Sequence, residues 1–373
     1  MKKLVLIDSN AVIHRAYHAL PQNMSNSKGE MTNAVYGYTT TLIKVLEDLQ
    51  PDYIAAAFDV SKTTFRTEHY AEYKANRVKA DQELYDQIPR VKELLDRLNI
   101  PIYEMDGYEA DDCIGTIASR ISNFEFRISN QISNPNSQNS SHSERSEESQ
   151  DPSALPQDDN IEEIQIYIVT GDKDLFQLVN GNIFVYSLKK GLSQTEIVDH
   201  KKINEEYNLD PEDFIDLKAL AGDPSDNIPG VPGIGPKTAT ELLINFDSLQ
   251  NLYGSIAKLL NCSINNLTIQ QFSNEMVESI AKELKLKPRI VRLLLENREQ
   301  AFMSQKLATI HKEVPIEFNI EDCRFGEYDK DKLKEFFEEL GFRSLLKRFG
   351  ASEEENIKPK TETAKKDQQL KLL

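Results

Sequence analysis

The stretch Gly107-Tyr-Glu-Ala-Asp-Asp-Cys113 places Glu109, Asp111 and Asp112 directly before an apolar run, Ile114 to Ile121. The run predicts a helix that begins at the acids. Glu109 and Asp112 are three residues apart and so share one helical face. Carboxylates this close repel one another, and a fold that keeps them together neutralises them with hard cations or protons. An acidic first turn can also serve the helix dipole alone. The decision between the two comes from the rest of the chain, where acids return after other apolar runs.

Lys3 to Ile7 is a strand-like run ending at Asp8, and Tyr53 to Phe58 is a second ending at Asp59. Ile100 to Tyr103 precedes the acidic stretch, Ile164 to Val169 stops just before Asp172 and Asp174, and Asn182 to Leu188 is a fifth run. Between them, Asn10 to Leu20, Asn33 to Leu49 and Asp81 to Leu98 carry apolar residues near helical period. Short apolar strands alternating with helices predict an α/β fold with a parallel-rich sheet covered on both faces. Ligands of such sheets bind at the carboxyl ends of the strands, where these acids fall. From about Ser193 the pattern turns helical, so residues 1–190 are expected to form the sheet domain and 191–349 a helical domain. Ser122 to Asn160, rich in Ser, Asn, Gln and Glu, is expected to be a disordered insertion, and 350–373 a disordered tail.

The net charge of −17 argues against a nucleic-acid partner only if charge is evenly spread. It is segregated. Lys62, Arg66, Lys74, Arg77 and Lys79 cluster with Phe65, Tyr70 and Tyr73. Cations suit phosphates and aromatic faces suit single-stranded bases, so Phe65, Arg66 and Tyr73 are expected to meet DNA. Three cysteines, widely spaced, exclude a disulfide frame or a zinc site and suit a reducing cytoplasm. The chain has no apolar run of membrane-spanning length.

The candidate metal ligands are Asp8, Asp59, Glu109, Asp111, Asp112, Asp172, Asp174, Asp223 and Asp226. The last two lie in Gly222-Asp-Pro-Ser-Asp-Asn. No His, Cys or Ser stands among them as a nucleophile or soft ligand, and all-oxygen donors select Mg²⁺ or Mn²⁺ over zinc. Two such ions can hold the attacking water and the leaving oxygen of a phosphodiester. A third feature is Ile228-Pro-Gly-Val-Pro-Gly-Ile-Gly-Pro-Lys-Thr-Ala, a glycine hairpin opening a helix at Pro236. Gly233, Gly235, Lys237 and Thr238 there would present backbone N–H groups and one cation to a phosphate, independently of base sequence.

In order along one chain, Ile7-Asp-Ser-Asn, Arg15-Ala-Tyr-His-Ala, Phe58-Asp, Thr64-Phe-Arg, Tyr73-Lys-Ala-Asn-Arg, Gly107-Tyr-Glu-Ala-Asp-Asp, Thr170-Gly-Asp-Lys-Asp and Gly233-Ile-Gly-Pro-Lys-Thr-Ala resemble the 5′-nuclease domains of bacterial DNA polymerases I, within the flap endonuclease superfamily. The resemblance runs from Lys3 to Phe349 outside the insertion. It implies a PIN-like fold with a helix-three-turn-helix (helix-hairpin-helix) module at 228–246. It also implies removal of 5′ flaps and RNA primers at flaps or nicks, in the cytoplasm at the nucleoid, by a monomer. The family's metal acids fall on the nine positions above, its arch cations on Lys74 and Arg77, and its phosphate-contacting arginine on Arg15. The hairpin would carry a K⁺. No polymerase segment follows, which suggests a free-standing nuclease or a fragment. The last residues, Gln369-Leu-Lys-Leu-Leu373, resemble a peptide that docks on a bacterial sliding clamp. The alternatives are a PIN-type ribonuclease and a catalytically silent DNA-junction binder.

Overall fold

Alternation along β1 (Lys2–Asp8) shows how the sheet is built. Leu4 and Leu6 enter one core, and Val5 and Ile7 enter the other. The same division holds in β2 (Tyr53–Ala57) and β4 (Ile164–Thr170), where Ile54, Tyr167 and Val169 face one side and Tyr53, Ile166 and Ile168 the other. A strand buried on both faces needs apolar residues at every position, which is what these runs supply. The computed structural model describes residues 1–60, 63–133, 163–192, 194–264 and 273–349. Lys62, residues 134–160 of the insertion and the tail with Gln369–Leu373 lie outside them.

The sheet has the order β3-β2-β1-β4-β5-β6, with β3 (Ile102–Tyr103), β5 (Ile183–Lys190) and β6 (Gln194–Val198). All neighbours pair parallel except β5 and β6. One face is covered by α1 (Ser9–Ala19), α2 (Asn33–Leu49), α4 (Gln82–Tyr85) and α5 (Ile88–Arg97), beyond a short α3 (Phe65–His69). The other carries α6 (Ala110–Ser133) and the segment Ile310–Cys323. A third core joins most of the helical half: α8 (Asp213–Ala221), α9 (Pro236–Phe246), α10 (Leu249–Leu259), α11 (Asn274–Glu283), α12 (Pro288–Glu296) and α13 (Arg298–Ala308), while Ile203 of α7 (His200–Tyr207) and Phe214 of α8 pack into the sheet core on the α6 side. The last helices are α14 (Lys330–Leu340) and α15 (Arg343–Arg348). Among the described residues no helix is long and apolar enough to cross a membrane.

Four sequence expectations are corrected. The helix expected over Asp81–Leu98 is two, because Pro89 in the first turn of α5 has no N–H to continue the ladder from α4. The helix after the acidic stretch runs on to Ser133, into the expected insertion, since no Pro or Gly interrupts residues 122–133. The helical half does not begin at 191. Gly191, with φ +62°, turns the chain into β6, which closes the sheet edge. Finally, 191–349 is not one packing unit. Leu333, Phe336, Phe337 and Leu340 of α14 leave the helical half and pack into the core with α2 and α5.

Candidate metal centre and nucleic-acid interface

The parallel strands deliver their last residues to one edge, and Asp8 is the innermost. It is 5% exposed and caps α1, accepting the Ala11 N–H at 3.1 Å and the Thr170 hydroxyl at 2.7 Å. Asp59, just past β2, accepts the Ala110 N–H of α6 at 2.7 Å and Asn10 Nδ2 at 2.9 Å. Past β4, Asp172 accepts the Asp174 N–H at 3.0 Å. Asp111 enters from the first turn of α6. The Thr64 to Tyr73 stretch is tied to the acidic stretch by the Phe65 N–H, which donates to Gly107 O at 3.1 Å.

These carboxyls act on one another. Burial pushes Asp8 up to about 7, against its hydrogen bonds to Ala11 and Thr170 and with the help of Asp59 and Asp172. Burial also raises Asp111 well above the carboxylate range, with Asp8 and Asp172 adding to it. Among the described residues Asp8, Asp59, Asp111 and Asp172 form no ion pair, whereas the other five acids do.

Asp112 is fully buried. Arg66 grips it through two hydrogen bonds of 2.7 and 2.8 Å, and the His311 and Glu109 N–H groups donate at 2.8 and 3.1 Å. Glu109 takes Lys74 at 2.8 Å and the Tyr73 hydroxyl at 3.2 Å. Asp226 takes Arg77 and, at 3.3 Å, the same hydroxyl. Lys218 of α8 bridges Asp174 and Asp223. Burial drives Asp174 up to about 7, with Asp172 adding, despite Lys218. For Asp223, burial is outweighed by Lys218 and Ser225, and the carboxyl falls below its ordinary value.

Arg66 and Tyr73, expected to touch DNA, are 2% and 5% exposed. Arg66 also donates to Leu307 O and Thr309 O, at 3.0 and 2.9 Å. Tyr73 packs with Ile228, Leu307 and Ala308. Both are interior joints, and a base cannot stack on either as they stand. Phe65 stays partly open, and Arg77 is exposed. Arg15 lies over Gly171, where an added Cβ would come within 3.0 Å of its guanidinium, and it donates to Lys189 O at 3.0 Å. Arg15, Arg77, His14 and His18 line an open groove of about 570 Å³ beside Asp172. The hairpin residues Gly233, Gly235 and Lys237 are exposed. Gly235 opens α9 without a side-chain cap, leaving first-turn N–H groups, Thr238 among them, facing outward.

Sequence reading missed Lys218, His14 and His18. Lys218 had a signal, a lone cation in the apolar helix Phe214 to Ala221 about one turn before Gly222-Asp. Among the described residues no three carboxylates, His or Cys close around a single point. The donors nevertheless fit a divalent ion, because Asp8 and Asp111, destabilised by burial and by the neighbouring Asp59 and Asp172 charges, are relieved by positive charge in their midst.

A metal-type carboxylate edge on a parallel sheet, with a helical module and basic groove beside it, defines a phosphodiester-handling class, and the sequence comparisons place the chain within it. The family model "5′-3′ exonuclease, N-terminal resolvase-like domain" matches residues 3–132, and "5′-3′ exonuclease, C-terminal SAM fold" matches 209–331. The chain belongs to the 5′-3′ exonuclease family. It is 37% identical over 358 residues to DNA polymerase I of Bacillus caldotenax and 38% over 349 to that of Bacillus subtilis, covering 96% and 94% of this chain. It spans about a third of the length of these relatives, 33% and 32%. In fold it is similar to the bacteriophage T5 flap endonuclease, solved as a pseudo-enzyme–product complex with DNA and metal ions. The TM-score is 0.55 at 17% identity, over 93% of this chain and 99% of that one.

Proposed function

We propose that this chain is a Mg²⁺-dependent structure-specific nuclease that hydrolyses DNA phosphodiesters as a 5′-3′ exonuclease and flap endonuclease. The observation that carries this reading is the set of unpaired carboxylates, Asp8, Asp59, Asp111 and Asp172, at the carboxyl edge of the sheet beside exposed cations. These residues would hold the ions, with Asp174 joining once it leaves Lys218. Oxygen-only donors favour Mg²⁺, with Mn²⁺ as a substitute. Bound there, such ions activate a water and neutralise charge on the reacting phosphate.

The protein's own groups bind and orient. Arg15 and Arg77 in the groove attract the phosphate backbone toward Asp172. Lys74, which burial would deprotonate but which Glu109 and Asp226 hold charged, can exchange its carboxylate for a phosphate oxygen. The Ile228–Gly235 hairpin and the open end of α9 would grip the duplex backbone, with K⁺ as its monovalent ion. The phage complex with DNA and metal ions and the 5′-3′ exonuclease family models support this reading. The setting proposed is lagging-strand maturation and repair at the nucleoid, on 5′ flaps, nicks and RNA primers, by a monomer. A sliding-clamp contact through Gln369–Leu373 is part of the same proposal, tested by binding of a 351–373 peptide with and without Leu370→Ala and Leu372→Ala.

The test is cleavage of a labelled 5′-flap DNA in Mg²⁺ and in EDTA beside a matched single strand. Mg²⁺-dependent cutting near the junction is expected. Binding without cutting in both Mg²⁺ and Mn²⁺ would overturn the catalytic reading in favour of a junction-binding module.

A further inference from the structure

Beside the Leu307 and Thr309 carbonyls that hold Arg66 lies a cavity of about 840 Å³ between α3, α13 and the strap 309–313. Its size is that of a small-ligand site. One wall is aromatic: the rings of Phe65 and His311 are 5.9 Å apart, and Tyr108 backs both at 5.9 and 5.4 Å. Phe302 lies on another wall, with the Arg298 guanidinium 5.3 Å over its ring. Lys306 and Lys312 stand exposed at the margin, and neither forms an ion pair among the described residues. Glu299 and Glu313 also line the cavity, so a phosphate has a place only at the Lys306 and Lys312 margin, and flat apolar faces beside those ammonium groups suit a stacked base that carries one.

The cavity is also wired to the carboxylates. Leu307 and Thr309, which line it, offer the carbonyls that hold Arg66, and the same guanidinium grips Asp112. The segment from Phe65 to Arg77 forms a wall of this cavity at one end and of the groove beside Asp172 at the other.

We propose that this cavity is a nucleotide subsite that takes a base of the displaced 5′ strand against Phe65, His311 and Phe302, with its phosphate at Lys306 and Lys312. The inference rests on the nuclease reading above for the source of the strand. The stack would anchor the single strand after it has crossed the carboxylate edge. Through Arg66, a filled cavity fixes the strap that positions Asp112.

The experiment walks 2-aminopurine along the 5′ flap of a DNA bound to the full chain in Ca²⁺, and compares wild type with Phe302→Ala and Lys306→Glu. Quenching confined to one or a few flap positions, lost in Phe302→Ala, is expected. In Mg²⁺ both variants should raise KM for flapped DNA roughly tenfold, the scale of one lost base stack, and leave cutting of a nicked duplex without a flap unchanged. Fluorescence flat along the flap, or equal losses on flapped and nicked DNA, would overturn the subsite. If wild type cuts neither DNA, the nuclease reading fails, and quenching of a 2-aminopurine-labelled single strand still reads the cavity by itself. Deoxyadenosine monophosphate is then added as competitor. Competition shows that free nucleotide uses the same subsite. Its failure, with the flap signal intact, assigns the subsite to the strand alone.

Discussion

The two halves of the acidic edge differ in what neutralises them. Asp8, Asp59, Asp111 and Asp172 come from strand ends and the start of α6 and form no ion pair among the described residues. Glu109, Asp112, Asp174, Asp223 and Asp226 are each held by Lys74, Arg66, Lys218 or Arg77. In the first group, Asp8 and Asp111 are held above their ordinary values by burial and by neighbouring carboxylates, a cost that a dication can relieve. The second ties the helical half and the Phe65–Arg77 segment to the sheet edge, with Asp174 the exception, since burial and Asp172 raise it despite Lys218. Acids that look equivalent along the chain therefore carry opposite costs, and neutralising them should have opposite effects.

The largest effect is expected at Asp111→Asn. It removes a member of the unpaired set, so flap cleavage should fall by at least about 100-fold, the scale of losing one group that stabilises the reacting charge. Thermal unfolding without metal should rise at the same time, because a repelling carboxylate is gone. Loss of both cleavage and metal-free stability would erase the distinction between the halves. Asp112→Asn should do the reverse. It breaks a buried pair and is expected to cost about 3–5 kcal/mol in denaturant unfolding. A change below about 1 kcal/mol would show that the Arg66 grip contributes little net.

The comparison sharpens with pH. The Asp8 and Asp174 carboxyls sit at about 7 when folded, against 3.8 ordinarily. The folded state therefore binds more protons between these values, and metal-free stability is full below the lower one and falls as pH rises toward 7. Mg²⁺ reverses this, so the Tm gain on adding it should be larger at pH 8 than at pH 5.5. An equal gain at both would place the ion elsewhere. The smallest effect is expected at Lys237→Ala, which leaves both halves untouched. It should weaken duplex binding modestly and lower the salt slope by about one. A slope unchanged by the substitution would remove α9 from the interface.

The chain made the sheet legible because both faces are buried. Every position of Leu4 to Ile7 is apolar, and the runs of β1 and β2 end directly at the acids Asp8 and Asp59. The role of Arg66 was not legible. It stands in a basic, aromatic run identical in composition to a solvated nucleic-acid surface, and its partner Asp112 is 46 residues away. Only the fold decides which cation of such a run turns inward. The return of α14 to the sheet was hidden for a related reason. Its apolar face shows that something must cover it, and periodicity does not say what.

Gly222 and Gly230 cross backbone to backbone, so closely that a Cβ on Gly230 would fall 2.1 Å from Gly222 N. Between them, Asp223 and Ile228 exchange N–H···O bonds of 2.8 and 2.9 Å. The acids Asp223 and Asp226 are thereby cast in one rigid piece with the hairpin that follows. On the reading proposed here, the jaw that clasps the duplex shares a single mount with Asp223 and Asp226, which Lys218 and Arg77 tie to Asp174 and to the Phe65–Arg77 wall of the cutting site. The distance from clasp to cut is then a fixed gauge, and the length of what is removed is measured by the shape of one loop and not by the sequence of the DNA.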